Sequence, residues 1–382
     1  MKILWICGLP MEVQQNALGG LNYGACAAWS WVLGHLPPPA DVELHIACPV
    51  TKGPWRNQTF CYKGVIFHLV RCLPGRYQTG YLFEPMMFRY LKRFNFDLVH
   101  GWGTEAGCAN VAQYLAPQKH VVQIQGLVNV YLEHIEPRRG HQFMAWRERR
   151  ILHRAKAVFV ESGYSYGISK PYCGLNTRVC SVDHPLRTEF LSAEYTVCRP
   201  NNILFLGTLC DRKGFLDALE AFAATRQKDW ALTLIGDGTP EVQRQLNRRV
   251  MELNAGGNVL YRPFATCAEI VAEMKNSSIF LLPSKMDTGP TALKEALAMG
   301  LWPLCYANSG PQEYVSRFKY GSLAATGNVT ELSVLLKQVM TERPWENGER
   351  MTTVVENVRH ELSAATIWKA LQKNYSEIMN AH

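Results

Sequence analysis

The sequence predicts an α/β protein with two halves of similar size. Short apolar segments alternate with helical segments along the chain, which is the pattern of buried parallel strands joined by helices. The alternation is interrupted at residues 200–202, Pro-Asn-Asn, and starts again at residue 203. A length of 382 residues, 47% of them hydrophobic and 19% charged, is enough for two domains.

In the first half, polar or glycine-rich residues follow several of the predicted strands. The strands lie at residues 2–8, 42–48, 65–69, 98–100, 121–124, 157–161 and 178–182. Helices are predicted at residues 25–36, 84–94, 105–115 and 165–172, with a basic helix between 137 and 156 and a loop at 11–18.

The second half repeats this plan, and its last fifty residues are predicted to be helical from about residue 329 to 381. Its strands are predicted at residues 203–209 (with the turn that follows), 231–235, 258–261, 279–282 and 301–306. Its helices are predicted from residue 214 to 224 and at 240–253, 269–274 and 291–299.

Composition excludes several classes of protein. No apolar run reaches the roughly 18–20 residues that a membrane span needs, and the N-terminus lacks the pattern of a signal peptide. The twelve cysteines form no CxxC pair and no Cys/His zinc spacing, so we expect reduced thiols, a cytoplasmic protein and no metal site.

Ligands of open parallel sheets bind beyond the carboxyl ends of the strands, so the segments after the strands hold the candidate site residues. Gly19 and Gly20 precede the first predicted helix, where glycine lets the backbone approach an anionic ligand; a plain turn is the alternative. His100 and Glu105 are candidates for polar chemistry, although a hydrogen-bonded histidine at a strand end would explain His100 equally well.

The second half carries the strongest pattern, a strand–loop–helix unit at residues 279–300. Asp287 lies in the loop and Glu295 in the first turns of the helix, for which Thr291 is the predicted cap. Arg212 and Lys213 precede another helix N-terminus and suit a diphosphate, because their donors add to the free backbone N–H groups. A cleft between the two halves is the expected ligand site.

These segments, in this order, resemble the retaining glycosyltransferases of family GT4. The matching segments of the second half are residues 205–207 with 213–214, 234–238, 258–259, 283–284, and Asp287 with Glu295 in a Glu-x7-Glu-like motif. In the first half, residues 100–105, 123–127 and 184–187 resemble loops of a subgroup that acts in bacterial surface-polysaccharide pathways.

The resemblance implies the GT-B fold, with two Rossmann-like domains facing across a cleft. The expected domains are residues 1–197, joined by the helix 365–382, and residues 198–364. The first would bind the acceptor and the second a nucleotide-diphosphate sugar. The implied catalytic residues are Asp287, His100 and Gln125. The implied donor-binding residues are Gly19, Gly20, Thr208, Arg212, Lys213, Arg262, Thr288, Gly289, Pro290, Thr291 and Glu295.

Three positions depart from the family pattern. Asp287 is one methylene shorter than the usual glutamate, Thr208 stands where an arginine is common, and Gln125 where a histidine is common. Glutamine cannot act as a base. A retaining enzyme of this kind does not need one, because the leaving phosphate can take the acceptor proton. No cofactor or metal is expected, since positive side chains and helix dipoles would stabilise the leaving diphosphate.

The net charge of +8 is uneven and leaves two interpretations open. The main basic cluster consists of Arg138, Arg139, Arg147, Arg149, Arg150, Arg154 and Lys156. It indicates either contact with anionic lipid at the inner face of the membrane or a solvated helix face. The acceptor is expected to be a glycan or a lipid-linked glycan. The alternatives are a transferase that acts on modified DNA bases, a sugar-nucleotide epimerase, or a non-catalytic sugar-binding protein.

Overall fold

The computed structural model describes residues 1–21, 23, 37–73, 83–104, 107–132, 140–253 and 258–381. The helix predicted at 25–36, together with Glu105, Arg138 and Arg139, lies outside these residues. The chain divides into two compact units. The first unit comprises Met1–Pro185 and Ala364–His382, and the second comprises Leu186–Ser363.

The described residues of the first unit contain an eight-stranded sheet with the strand order β3-β4-β2-β1-β5-β6-β7-β8. The strands are β1 (Lys2–Ile6), β2 (Glu43–Val50), β3 (Gln58–Tyr62), β4 (Val65–Arg71), β5 (Leu98–Trp102), β6 (His120–Gln123), β7 (Ala157–Val160) and β8 (Arg178–Ser181). All neighbours are parallel except β3 and β4, which form an antiparallel pair at the edge. β3 was not predicted from the sequence, because its alternating burial gives it no continuous apolar run.

Helices pack on the faces of this sheet. They are α1 (Met11–Asn16), α2 (Phe83–Leu91), α3 (Cys108–Leu115), α4 (Val128–Tyr131), α5 (His141–Arg154) and α6 (Gly163–Ser169). The loop predicted at 11–18 was wrong, because residues 11–16 form α1, which follows Pro10 at the N-cap position and buries Val13. Glu148 of α5 accepts hydrogen bonds from the backbone N–H groups of Val128 and Asn129, at 3.0 Å each, and so caps the short α4.

The second unit contains a six-stranded sheet with the order β11-β10-β9-β12-β13-β14, and all of its described strand pairs are parallel. Its strands are β9 (Asn202–Leu206), β10 (Ala231–Ile235), β11 (Val259–Arg262), β12 (Ile279–Leu282), β13 (Trp302–Tyr306) and β14 (Ser322–Ala324). Its helices are α7 (Thr188–Ser192), α8 (Phe215–Thr225), α9 (Pro240–Glu252), α10 (Cys267–Lys275), α11 (Thr291–Ala298), α12 (Ser309–Phe318), α13 (Val329–Glu342) and α14 (Gly348–Glu361).

The boundary between the units lies before α7, upstream of the boundary expected at residue 198. Phe190 of α7 is fully buried in the core of the second unit. The backbone N–H of Leu186 donates to the carbonyl oxygen of Leu362 at 2.9 Å, within the same unit. These contacts assign the segment, which has no clear pattern in the sequence, to the second unit.

The last helix, α15 (Ala364–Asn380), completes the core of the first unit. The ring of Trp368 stacks on that of Trp5, with centroids 5.6 Å apart. The hydroxyl of Tyr375, fully buried, lies 3.2 Å from Trp5 Nε1, which donates to it, and 2.6 Å from His100 Nδ1. Trp5 and His100 are register neighbours on β1 and β5, so α15 fastens two central strands.

We expect Tyr375→Phe to lower the free energy of unfolding of the first unit by about 1–3 kcal/mol, because two buried polar groups lose their partner. Thermal melting followed by intrinsic fluorescence measures the change. Tyr166→Phe is the matched control, since Tyr166 is 41% exposed in the same unit. Equal melting temperatures for the Tyr375 variant and the wild type would show that the buried hydroxyl contributes nothing.

Candidate functional site

Three charged side chains meet in the second unit at the carboxyl ends of β9 and β12. Lys213 Nζ donates a hydrogen bond to Asp287 Oδ2, and Arg212 Nη1 lies 4.0 Å from the same oxygen. Arg212 also donates to the carbonyl oxygen of Met286 at 2.8 Å. The structure therefore brings together Arg212, Lys213 and Asp287. The two cations are half-buried and their roles toward a ligand stay predictions.

Gly214 allows the turn that contains Arg212 and Lys213 to lie close to the segment that precedes Asp287. Arg212 and Lys213 form one turn of 3₁₀ helix that ends at Gly214, which has a left-handed φ of 70°. A Cβ atom at Gly214 would lie 2.0 Å from the carbonyl oxygen of Pro283. The backbone N–H of Lys285 donates to the carbonyl oxygen of Arg212 at 2.8 Å. A side chain at residue 214 would thus push the cationic turn away from the Asp287 loop.

The loop after Asp287 is held against the N-terminal end of α12. The Asp287 N–H donates to Ser309 Oγ at 3.1 Å, and the Gly310 N–H donates to the Asp287 carbonyl oxygen at 2.8 Å. A Cβ atom at Gly310 would lie 2.5 Å from the carbonyl oxygen of Thr288, which is 6% exposed. The loop that contains Thr288 is therefore fixed by main-chain contacts on one side.

The predicted cap of α11 was wrong. Thr291 is the first helical residue, and Pro290 occupies the N-cap position with no side-chain cap hydrogen bond. The extended φ and ψ of Pro290, −67° and 111°, set the direction in which the loop enters the helix. Gly289 and Thr291 are half-buried, so this entry to α11 is only partly covered.

Glu295 lies inside the unit rather than on its surface, with only 2% of its area exposed. Arg187 holds it through two contacts, because Nε donates to Oε1 at 2.8 Å and Nη2 lies 2.8 Å from the same oxygen. Burial raises the pKa of Glu295 to about 7, and Arg187 and then Lys294 oppose that rise. The nearby carboxylate of Glu189 adds to it.

Arg187 is the site residue to which the sequence analysis gave no role. It follows a polar segment after β8 and precedes α7, and 108 residues separate it from Glu295. Its position in the segment 184–187 was visible, but a pairing over that distance has no local pattern. Arg187 also lies over the ring of Phe190, with the guanidinium carbon 4.7 Å from the ring centroid.

Two further predicted donor-binding residues lie at the ends of β9 and β11 in the same sheet. Thr208 is exposed directly after β9, beside a tight crossing where a Cβ atom on Gly236 would lie 1.8 Å from the Gly207 carbonyl oxygen. Arg262 ends β11, and its Nη1 lies 3.8 Å from Glu273 Oε2. Thr208, Arg262 and Lys213 lie at the same carboxyl edge of the sheet. Among the described residues there is no contact between Arg262 and the Asp287 loop.

His100 lies in the interior of the first unit, in the middle of β5 and not after the end of its strand. It is fully buried, and burial lowers its pKa to about 3, with the charge of His184 as a smaller cause. His184 Nδ1 in turn lies 2.8 Å from Glu161 Oε1. His100 is neutral at pH 7 in this environment, and a role in binding or catalysis remains a prediction.

Gln125 lines a cavity of about 290 Å³ in the first unit, next to Gly126 and beneath α4 and α5. The rest of the described lining is mostly apolar: Val128, Tyr131, Leu132, His141 and Met144. Gly19 and Gly20 are exposed after α1 with left-handed φ values of 63° and 73°, and the N–H of Gly20 donates to the carbonyl oxygen of Gln14 at 2.9 Å. Their expected roles are untested by these positions.

The basic segment of α5 is not a uniform cationic surface. Arg147 is 6% exposed and its Nη2 lies 3.0 Å from Glu84 Oε1 of α2. Arg147 therefore balances a buried carboxylate, so neither the lipid interpretation nor the solvated-face interpretation applies to it. Arg149 and Arg150 are exposed on the same helix, as is Trp146, so the membrane interpretation concerns only this outer face.

No helix among the described residues is long and apolar enough to cross a membrane. The same residues contain no group of three or more His, Cys, Asp or Glu side chains arranged to hold a metal ion.

Two family models match the chain, one for each half. The model described as "Glycosyltransferase Family 4" matches residues 35–189, and "Glycosyl transferases group 1" matches residues 192–360. An amylovoran biosynthesis glycosyltransferase of Erwinia amylovora is 30% identical over 146 residues, which cover 36% of this chain and 35% of that relative. A 2-deoxystreptamine glucosyltransferase of Streptomyces kanamyceticus is 26% identical over 140 residues, which cover 36% of each protein. The matches therefore span about a third of the length of these relatives.

Solved structures match the fold along the whole chain. A sucrose-phosphate synthase from Thermosynechococcus elongatus superposes with a TM-score of 0.77 at 15% identity, covering 100% of both chains. The Anabaena protein HepE in complex with UDP and glucose has a TM-score of 0.73 at 14% identity, covering 98% of this chain and 99% of that one. With one model on each half and this fold throughout, the chain belongs to the GT4-type glycosyltransferases of the GT-B fold class.

Proposed function

We propose that this protein transfers a sugar with retention of configuration from a nucleotide-diphosphate sugar to an acceptor hydroxyl. The proposal is carried by one observation, the cationic turn of Arg212 and Lys213 against Asp287 at the carboxyl edge of the second sheet. Such an edge is where nucleotide ligands bind in open α/β sheets. The group 1 family model, which matches residues 192–360, supports the assignment of the donor to this unit.

Lys213 and Arg212 would bind the diphosphate and stabilise the charge that develops on it as the sugar leaves. Lys213 has 17% of its side chain exposed, and its contact with Asp287 holds the ammonium at this edge of the sheet, where a phosphate would bind. Gly214 places the N-terminus of α8 next to them, and its backbone N–H groups add fixed positive charge.

Glu295 would accept hydrogen bonds from the ribose hydroxyls, and Asp287 with the loop Thr288, Gly289 and Pro290 would hold the sugar. Both described contacts between Arg187 and Glu295 use Oε1 of the carboxylate, which orients it. The bond from the sugar to the diphosphate breaks, the acceptor oxygen bonds to the same carbon, and the leaving phosphate oxygen takes the acceptor proton. Cationic side chains, and not a metal ion, would balance the charge.

The acceptor would be a glycan or lipid-linked glycan of a surface-polysaccharide pathway, handled at the cytoplasmic side of the membrane. The named role of the Erwinia relative in amylovoran biosynthesis supports this acceptor class. The UDP found in the Anabaena structure makes UDP-sugars the first donors to test. Gln125 and the apolar cavity beside it would belong to the acceptor side.

A thermal-shift panel of nucleotide sugars tests the donor assignment, because a ligand that binds only the native state raises the melting temperature. We expect one or more UDP-, GDP- or ADP-sugars to do so, and the same shift to disappear in Lys213→Met. Product analysis then separates the reactions: free sugar in the absence of an acceptor would indicate an epimerase or hydrolase. A panel in which no nucleotide sugar changes the melting temperature would contradict the proposal.

The pKa of Glu295 predicts how donor binding depends on pH. The ionised carboxylate accepts hydrogen bonds from the ribose hydroxyls more strongly than the protonated acid does, and the raised pKa, about 7, keeps part of Glu295 protonated below neutrality. We therefore expect the KM for the donor to rise as the pH falls from 8 to 6. The pKa of Glu295 in the folded protein is above its value of 4.5 in the unfolded chain. The free energy of unfolding should therefore fall as the pH rises from 4.5 to about 7.

Glu295→Gln is the control for both effects. It should have a high KM at every pH and should lose the dependence of stability on pH in that window. A pH profile of KM that is the same in the variant and the wild type would assign the titration to another group, and a flat wild-type profile would contradict the pKa argument.

A further inference from the structure

A second cavity lies in the first unit, whereas Arg212, Lys213 and Asp287 belong to the second unit. It measures about 440 Å³ and lies at the carboxyl end of β4, between the end of that strand and α2. Arg71 ends β4, Arg89 belongs to α2, and Arg93 follows α2. All three guanidinium-bearing side chains line the cavity, together with the aromatic residues Trp55 and Tyr90. A cavity of this size fits a small ligand of one or two sugar rings.

The positive charge of the three arginines is not balanced by acidic side chains in the described lining of the cavity. Among the described lining residues there is no carboxylate. Arg71 Nη1 is buried and has no hydrogen-bond partner among the described residues, whereas a buried guanidinium is usually paired. Glu84, the acid of α2, does not line the cavity and is engaged by Arg147 and Asn110. Three arginines around one space with an unpaired donor favour a ligand with negative charge.

The aromatic wall of the cavity is held in place from behind. The Tyr90 hydroxyl lies 2.8 Å from Thr59 Oγ1, which lies 3.1 Å from His68 Nδ1. His68 Nε2 is 2.8 Å from His45 Nδ1. On its other side, the guanidinium carbon of Arg93 lies 4.0 Å from the centroid of the Tyr90 ring. The chain of hydrogen bonds fixes Tyr90, and Tyr90 fixes the direction of Arg93.

Trp55 gives the cavity a face that suits carbohydrate. Its ring is 81% exposed, and the guanidinium carbon of Arg71 lies 4.6 Å from the ring centroid. An exposed indole offers an apolar surface on which the C–H face of a sugar can pack, while the flanking arginines bind its charged group. A flat membrane surface would meet protruding side chains, whereas these arginines converge on a concave space.

We propose that this cavity is a binding site for an anionic carbohydrate, one that bears a carboxylate or a phosphate. Arg71, Arg89 and Arg93 bind the anionic group and Trp55 packs on the ring. The site consists only of first-unit residues, and it stands whether or not the donor assignment to the second unit is correct.

Isothermal titration calorimetry on the full chain at low salt tests the proposal with glucuronic acid, glucose 6-phosphate and neutral glucose. We expect the anionic sugars to bind and glucose to show no heat. Binding of glucuronic acid alone would identify a carboxylate ligand and binding of glucose 6-phosphate alone a phosphate ligand. Arg89→Gln with Arg93→Gln should weaken binding at least about 10-fold, since each removes charge-assisted hydrogen bonds. The matched control is Lys52→Gln with Lys92→Gln, which removes two exposed charges that do not line the cavity.

Trp55→Ala separates carbohydrate binding from plain anion binding. It should weaken the anionic sugars and leave the affinity for inorganic phosphate unchanged. Equal loss in both double variants would indicate a diffuse charge effect and overturn the site. The proposal would also be overturned if no sugar bound while the protein bound phosphatidylglycerol vesicles in a way that depends on Arg89 and Arg93. The affinity for the anionic sugars should be the same with and without saturating UDP. Failure of the donor assignment would therefore leave the measured sugar binding unchanged.

Discussion

Glu295→Gln should lower kcat/KM for the nucleotide sugar by about 100-fold or more, because a carboxylate that binds the ribose helps to place the whole donor. The substitution keeps the size of the side chain, so lost charge and not lost packing is what changes. Because the side chain is 2% exposed, water cannot replace the missing interaction. Release of the nucleoside diphosphate measures the rate, and the donor-induced thermal shift should also disappear.

The variant also leaves Arg187 without its charged partner, so stability has to be controlled. Arg187→Gln breaks the same ion pair from the other side and leaves the carboxylate in place. If Glu295 contacts the donor, Arg187→Gln retains more activity than Glu295→Gln at a temperature where both are folded. Wild-type turnover by a folded Glu295→Gln protein would remove Glu295 from the donor site.

Lys213→Met should reduce kcat by about 100- to 1,000-fold, the range found when one preorganised group that stabilises charge in the transition state is removed. Methionine keeps the unbranched stem that packs near Gly207, but it removes the ammonium that contacts Asp287. The effect should fall on kcat as well as on KM, because the charge on the diphosphate grows as the sugar leaves.

Lys285→Met is the matched control for that experiment. Lys285 lies two residues before Asp287, and its Nζ is 2.7 Å from Asp211 Oδ1 in an ion pair. It removes the same charge from the same part of the unit and should change kcat less than threefold. Equal losses in the two variants would mean that local charge, rather than a contact of Lys213, explains the result.

Most of the fold could be predicted because its signals are local. The strands at residues 231–235 and 279–282 were predicted with their observed ends, since each is a short apolar run between a helix and a polar turn. Two elements, β3 and α7, were not predicted. β3 alternates between half-buried and exposed residues, and α7 has only Phe190 as a buried anchor. Their conformation depends on distant partners that a local pattern does not contain.

The site was predictable where its residues lie in one segment and unpredictable where it depends on pairing. Asp287 and Glu295 stood out through spacing, and Arg212 and Lys213 through charge before a helix. The contact of Arg187 with Glu295 and the burial of His100 follow from tertiary packing. Thr291 shows a third limit: a threonine before a helix suits a cap, but the preceding Pro290 supplies an extended backbone and takes that position.

The first unit consists of two segments, Met1–Pro185 and Ala364–His382, and the second segment holds α15. At least 179 positions along the chain separate α15 from the rest of its unit. During synthesis, Trp5 and His100 therefore leave the ribosome long before Trp368 and Tyr375 can cover them. The second unit, one continuous segment, can form its own core first. Nascent chains paused before residue 364 should thus expose the aromatic face of β1 and β5 to chaperones, and a fragment that ends at Pro185 would carry the same exposed face.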